Sequence, residues 1–349
     1  MTPIEKFLDT YRSKRTKQTY SSHLNVYFQF LKVKPETYFT KKRDYIEDVT
    51  KWLEYNQKCA PLTRASRMNC IRSFLEDNDV IIPKKKWKQY QRKQKANKPI
   101  TLDRIPTNQE LKEILSHSDA KARALILVAS SSGMRISEIL KLEPDDIDLK
   151  SELPKVYVRY AKFEKPRICF ISNEAKNSLI EWYKVRDKFL KAAVSKCNTR
   201  KNPIAYKNAD DKRIFPINYQ TFCNIWHRIL RDAGLNEKDK STGFHRLHIH
   251  TLRKFYKTRL LNAGMQEAQI RKLMGQSDSL GDSYDRFTEE DLKNSYKTHV
   301  KSLSVFEKTP DLTEHNHRIT QLEKENEQLR NDMQHLMAKV LSQDDEKQK

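Results

Sequence analysis

The sequence predicts a mainly α-helical chain with one small antiparallel β-sheet and a C-terminal coiled coil, on three observations. Apolar residues recur at helical spacing, as in Ile4, Phe7, Leu8 and Tyr11 and again in Tyr20, Leu24, Tyr27, Phe28 and Leu31. One stretch, KVYVRYAKFEKPRICFIS, gathers β-branched and aromatic residues on both sides of a turn at Phe163 to Pro166. Near the C-terminus, Ile319, Asn326, Met333 and Val340 repeat every seven residues, with Leu322, Leu329 and Leu336 between them.

Residues 1–82 read as a small all-helical domain. Arg12, Lys14, Arg15 and Lys17 cluster before its second helix, with Thr16 or Thr19 expected as the cap. That basic cluster is a solvated face or, in the sharper reading, a phosphate-contacting one. Residues 83–104 read as a basic interdomain linker. Between Pro83 and Pro99 there are eight Lys or Arg and no acid, Lys84, Lys85, Lys86, Lys88, Arg92, Lys93 and Lys95 among them. Such a composition argues against a core of its own, and the interleaved Trp87 and Tyr90 suit a segment lying along a nucleic-acid backbone.

Residues 105–308 form the second predicted domain. Two apolar helices run from Thr107 to a break at Glu143 to Asp146, and the hairpin or three-stranded sheet follows. Further helices are expected at roughly 174–193, 218–233, 248–262 and 266–274. In residues 312–343 the heptad register places Arg318 and Glu325 at g and Glu323 and Arg330 at e, so both g to e′ pairs of a parallel dimer attract. Asn326 at a favours two strands in register, and Pro310 separates the stripe from the preceding fold.

Charge narrows the function classes. The chain carries 68 Lys+Arg against 46 Asp+Glu, a formal charge of +22 on 349 residues, so a polyanion is the expected partner. A membrane reader should show an amphipathic basic helix or a long apolar stretch, and neither stands out. With 37% hydrophobic residues the chain has apolar surface for two modest cores, which excludes a disordered basic tail. The N-terminus lacks a secretory signal, so a cytoplasmic, nucleoid-associated protein is expected. Five widely spaced cysteines without a CxxC pair argue for buried thiols over disulfides or zinc.

Three motifs carry chemistry. In SSGMRISEILKL, Arg135 follows a glycine at a helix entrance, where a guanidinium can reach an anion that also faces helix N-terminal amides, and Glu138 is placed to hold it. In HIHTLRKFYKTRL, His250 and Arg253 are three apart on one helical face, a titratable donor beside a permanent cation. His245, His248 and His250 lie within six residues, but no acidic or cysteine ligand is nearby in sequence, so no metal is expected. In RKLMGQSDSLGDSYDRF a helix ends at Met274 and Gly275, and Tyr284 follows in a polar loop where a ring of cations would stabilise its oxyanion.

G-x-R-x-x-E, then H-x-x-R, then a G-Q-S loop leading to a tyrosine, with a hairpin lysine between the first two, resembles the tyrosine recombinase (phage integrase) family over residues 1 to about 305. The resemblance implies an N-terminal SAM-like core-binding domain, a catalytic domain, double-stranded DNA as partner, a tetramer on DNA and no cofactor. Arg135 and Arg253 would bind the scissile phosphate, and Lys162 would protonate the leaving 5′ oxygen, ahead of Lys165 beyond the turn. His250 would assist proton transfer, Gln276 stands where His or Trp is common, and Tyr284 would form a 3′-phosphotyrosine bond. Lys254 stands where His is frequent. The loop to Tyr284 is about one residue shorter than usual, which makes Tyr296 a rival nucleophile. A type IB topoisomerase, or a DNA-binding regulator that lost the chemistry, are the alternatives. The coiled coil inclines the reading to a virus or plasmid integrase.

Overall fold

A computed structural model describes residues 1–93, 102–159, 166–199, 208–240, 242–276 and 287–306, with Glu325, residues 327–329 and Met333. The chain divides into two compact units, Met1–Leu102 and Asp103–Lys349.

The first unit contains α1 (Pro3–Asp9), α2 (Lys14–Leu31), α3 (Tyr45–Tyr55), α4 (Pro61–Glu76) and α5 (Lys84–Lys93). The apolar stripe predicted for α2 is the face that is buried: Leu24, Tyr27 and Phe28 meet Trp52 of α3 and Phe74 of α4 in an aromatic core. The Tyr27 and Tyr38 hydroxyls lie 2.8 Å apart, so each buried hydroxyl has a partner. The cap of α2 differs from expectation. Ser13, not Thr16 or Thr19, is extended at the N-cap and accepts from the Thr16 amide at 3.3 Å, because the helix already starts at Lys14. Arg12, Lys14 and Arg15 are exposed, while Lys17 pairs with Asp9 at 2.9 Å.

The linker predicted from residue 83 is corrected. Lys84–Lys93 is a helix of the first unit, and its two aromatics, three residues apart, share a buried face, Trp87 at 3% and Tyr90 at 7% exposure. The Tyr90 hydroxyl lies 2.8 Å from that of Thr50, and the Arg72 guanidinium stands 5.8 Å from the Trp87 ring centroid. Two well-spaced aromatics are enough for a helix to dock, and averaging them into a lysine-rich composition hides that stripe. Lys84, Lys85, Lys86, Lys88 and Arg92 point to solvent, and Lys95 lies outside the described residues.

The second unit is built on α7 (Ala120–Ser132), preceded by α6 (Asn108–Ser116). Eleven of the thirteen residues of α7 are buried, so it is wrapped on all sides. Its three terminal serines turn their hydroxyls back to the carbonyls of Leu127 and Val128, which satisfies them without water. A single turn, α8 (Ile136–Ile139), leads to the sheet of β1 (Ile147–Asp148), β2 (Lys155–Val158) and β3 (Arg167–Phe170). The order is β1-β2-β3 and both pairings are antiparallel, with Val158 opposite Arg167 at the last described pair before the turn. Then come α9 (Asn173–Asn198), α10 (Tyr219–Asp232), α11 (His250–Asn262) and α12 (Glu267–Met274), close to the predicted helices, and α13 (Glu289–His299) beyond them.

All five cysteines are free; Cys70 and Cys169 are buried, and Cys59, Cys197 and Cys223 half-buried. Among the described residues no helix is long and apolar enough to cross a membrane. Most of the heptad segment lies outside the described residues. Those described within it are helical, with Leu329 and Met333 66% and 61% exposed.

Candidate active site

Two helices end where α11 passes. The α7 helix stops at Gly133 and α12 at Gly275, both in the left-handed region, with φ of 61° and 63°. Between them Arg253, on α11 and only 5% exposed, donates from Nη1 to the Gly133 carbonyl and from Nη2 to the Met274 carbonyl at 2.8 Å. Carbonyls at helix C-termini carry partial negative charge, so both arms of the guanidinium are fixed by main chain. Burial, followed by the positive charge of Arg135, lowers the Arg253 pKa to about 10, and it stays cationic at neutral pH.

Gly133 is confined by more than its φ. A Cβ there would come within 2.3 Å of the Tyr256 ring, itself fully buried. Gly133→Ala is therefore expected to destabilise the protein by about 2–4 kcal/mol, from overpacking and left-handed strain, as read by urea denaturation.

Arg135 caps α8 and its side chain remains 31% exposed. Glu138 accepts from the Arg135 amide at 2.9 Å and from its Nη1 at 3.1 Å. Glu138 thus occupies the N-cap amide of Arg135 and one arm of its guanidinium. Glu138 itself is buried and also accepts from Arg167 Nη2 at 2.7 Å. Burial alone would raise its pKa; Arg167, then Arg135, outweigh that and hold the carboxyl below its ordinary range.

His250 opens α11 with an exposed side chain. Partial desolvation, then the positive charges of Arg253, His248 and Lys254, lower its pKa against the opposing pull of Asp103. An acid does lie beside the histidines in space, 145 residues away in sequence. Asp103 accepts from His248 at 3.0 Å and from Lys254 at 2.5 Å. Even so, no group of metal-holding side chains occurs among the described residues. Gln276, half-buried, continues the chain two residues past the carbonyl that holds Arg253.

Tyr296, the rival tyrosine of the sequence reading, is a core residue. It is fully buried, donates its hydroxyl to the Ser131 carbonyl at 2.7 Å, and burial pushes its pKa well above the ordinary phenol value. Its ring lies 5.5 Å from that of Phe170 in the core. Lys162 and Tyr284 lie outside the described residues. Arg135, His250, Arg253 and Gln276 thus lie near the C-terminal ends of α7 and α12 and the start of α11, two guanidinium groups and a histidine among them.

The sequence profile of the phage integrase family matches residues 104–280, just over half of the chain. The chain belongs to the phage integrase family. Within it, the tyrosine recombinase XerD of Rickettsia bellii is 28% identical over 167 residues, 47% of this chain and 50% of that protein. XerC of Halalkalibacterium halodurans is 25% identical over 256 residues, 70% and 78% of the two chains. Against such relatives the chain thus spans between half and about three quarters of their length. Two solved integrases share its fold. A lambda integrase tetramer bound to a Holliday junction superposes with TM-score 0.54 at 13% identity, covering 82% of this chain and 79% of that one. The Tn1549 transposon integrase in complex with circular intermediate DNA gives 0.53 at 16%, covering 84% and 98%. The mainly helical architecture with a three-stranded antiparallel sheet is that of the integrases.

Sequence reasoning missed Arg167 in this integrase-family site. The available signal was a charged residue opening a short apolar strand, and nothing local joins it to Glu138, 29 residues away. The main-chain carbonyls that clamp Arg253 were equally out of reach, since a carbonyl has no residue identity.

Proposed function

We propose that this chain is a site-specific DNA recombinase that cleaves and rejoins strands through a 3′-phosphotyrosine intermediate, without metal or cofactor. Arg253, held by two helix ends beside Arg135, is the observation that carries this reading: two cations near one another are restrained in advance of any anion. Such preorganisation suits the non-bridging oxygens of a phosphate in a transition state. Tyr284 supplies the nucleophile, Lys162 protonates the leaving oxygen, and His250 with Gln276 assists at the phosphate. The exclusion of Tyr296 by its burial supports Tyr284. Duplex DNA carrying a nick that traps the intermediate tests this directly, as a covalent adduct surviving denaturing electrophoresis; tight binding with no adduct would favour a regulator that lost the chemistry.

Double-stranded DNA is the partner, with the first unit serving as a SAM-like core-binding domain and residues from 103 onward carrying the catalytic domain. The exposed row Lys84, Lys85, Lys88 on α5 then lies against phosphates, turned outward by the docking of Trp87 and Tyr90. Changing these three to Glu is expected to weaken duplex binding at least tenfold and to flatten the salt dependence of affinity, since about three fewer counterions are released. Fluorescence anisotropy across a salt series measures both, and an unchanged slope would remove α5 from the interface.

Assembly as a tetramer on DNA, aided by the C-terminal heptads, completes the reading. Exposure of Leu329 and Met333, at d and a of the heptads, supports a coiled coil with a second copy. The biological task is integration or excision of a mobile element within the host cell, at the nucleoid.

A further inference from the structure

Glu138 is a buried acid inside a site that must attract an anion. Left with Arg135 alone, its carboxylate would cancel the charge Arg135 offers to a phosphate. Arg167 changes that balance. It reaches both carboxylate oxygens, Oε2 from Nη2 at 2.7 Å and Oε1 from Nη1 at 3.4 Å, with its side chain 10% exposed against 31% for Arg135. Its Nε donates to the Leu273 carbonyl at 2.9 Å. A Cβ on Gly275 would fall 2.8 Å from Arg167 Nη1, so the guanidinium also lies flat against the backbone from which Gln276 departs.

We infer that Arg167 is a positioning residue: it is the counter-ion of Glu138, which lets Glu138 orient Arg135 without neutralising it, and it ties that pair to the end of α12. This rests on the recombinase reading above. With Arg135, Arg167 and Arg253 against Glu138, the cluster holds two net positive charges; without Arg167 it holds one.

Single-turnover formation of the covalent adduct by the full chain tests it. Arg167→Gln should slow the step by about 50-fold or more while duplex affinity stays within about threefold, as expected for an interaction that matters to the reacting phosphate alone. Adding Glu138→Gln restores the net charge, so the double variant should regain about tenfold over Arg167→Gln. A purely structural arginine would give no such recovery, and a double variant as slow as the single one overturns the inference. Thermal unfolding is followed in parallel; if Arg167→Gln does not fold, Arg167→Lys, which keeps the charge but not the two-armed fork, should still form adduct at a reduced rate, and a folded Lys variant with no detectable adduct is equally fatal. Should the parent form no adduct, the recombinase reading fails by itself. The charge balance is then read from inorganic phosphate binding, which Arg167→Gln should weaken about fivefold and the double variant restore; unchanged affinity in Arg167→Gln refutes it.

Discussion

Tyr284→Phe will leave no detectable covalent protein–DNA adduct, with duplex affinity within about threefold of the parent, because one phenol oxygen among so many cations contributes little to binding. Tyr296→Phe provides the matched control. It removes a hydroxyl that donates to Ser131 inside the core, and leaves that carbonyl without this donor. The expected cost is about 1–2 kcal/mol of stability, seen as a lower urea midpoint, with adduct formation retained in the folded fraction. The two variants differ by a single oxygen each, so they separate nucleophile from core residue cleanly. An adduct that survives Tyr284→Phe would move the chemistry to another side chain.

Arg253→Ala is the second large effect. Cleavage should fall about 10³-fold, in the range for losing a preorganised donor to developing negative charge. Stability should fall too, by about 1–3 kcal/mol, because the Gly133 and Met274 carbonyls lose the guanidinium that both of them bond. Duplex binding should change little, since the remaining cations supply the counterion release. Arg253→Lys is not conservative here: one ammonium on a flexible stem cannot reproduce a planar fork held at both arms, and most of the rate loss should persist. Arg135→Ala should lose cleavage with a smaller stability cost, because its side chain is partly exposed and Glu138 keeps Arg167. Binding and cleavage lost in equal measure would point instead to a general contribution to affinity. Denaturation curves beside filter binding and single-turnover cleavage distinguish these outcomes.

Much of this fold was legible because helices announce themselves by period. The stripes of α2 and α10 to α12 depend on residues three and four apart, which a single chain displays. The strands flanking Phe163 were legible from β-branched and aromatic density. What escaped depended on contacts between distant residues or on backbone. The docking of α5 rests on Trp87 and Tyr90 meeting Thr50 and Arg72, and a composition dominated by lysine conceals it. At the site, the cations Arg135 and Arg253 were found from motifs, while Arg167 and the clamp on Arg253 were not, since Gly133 and Met274 hold Arg253 through atoms every residue has.

That last feature bears on how the protein tolerates change. The receptor for the guanidinium is written in peptide groups rather than in side chains, so no exchange at position 274 deletes its acceptor while the backbone keeps its path. The hold on Arg253 is thus buffered against sequence drift at position 274, provided the two left-handed bends that aim those peptides are left alone.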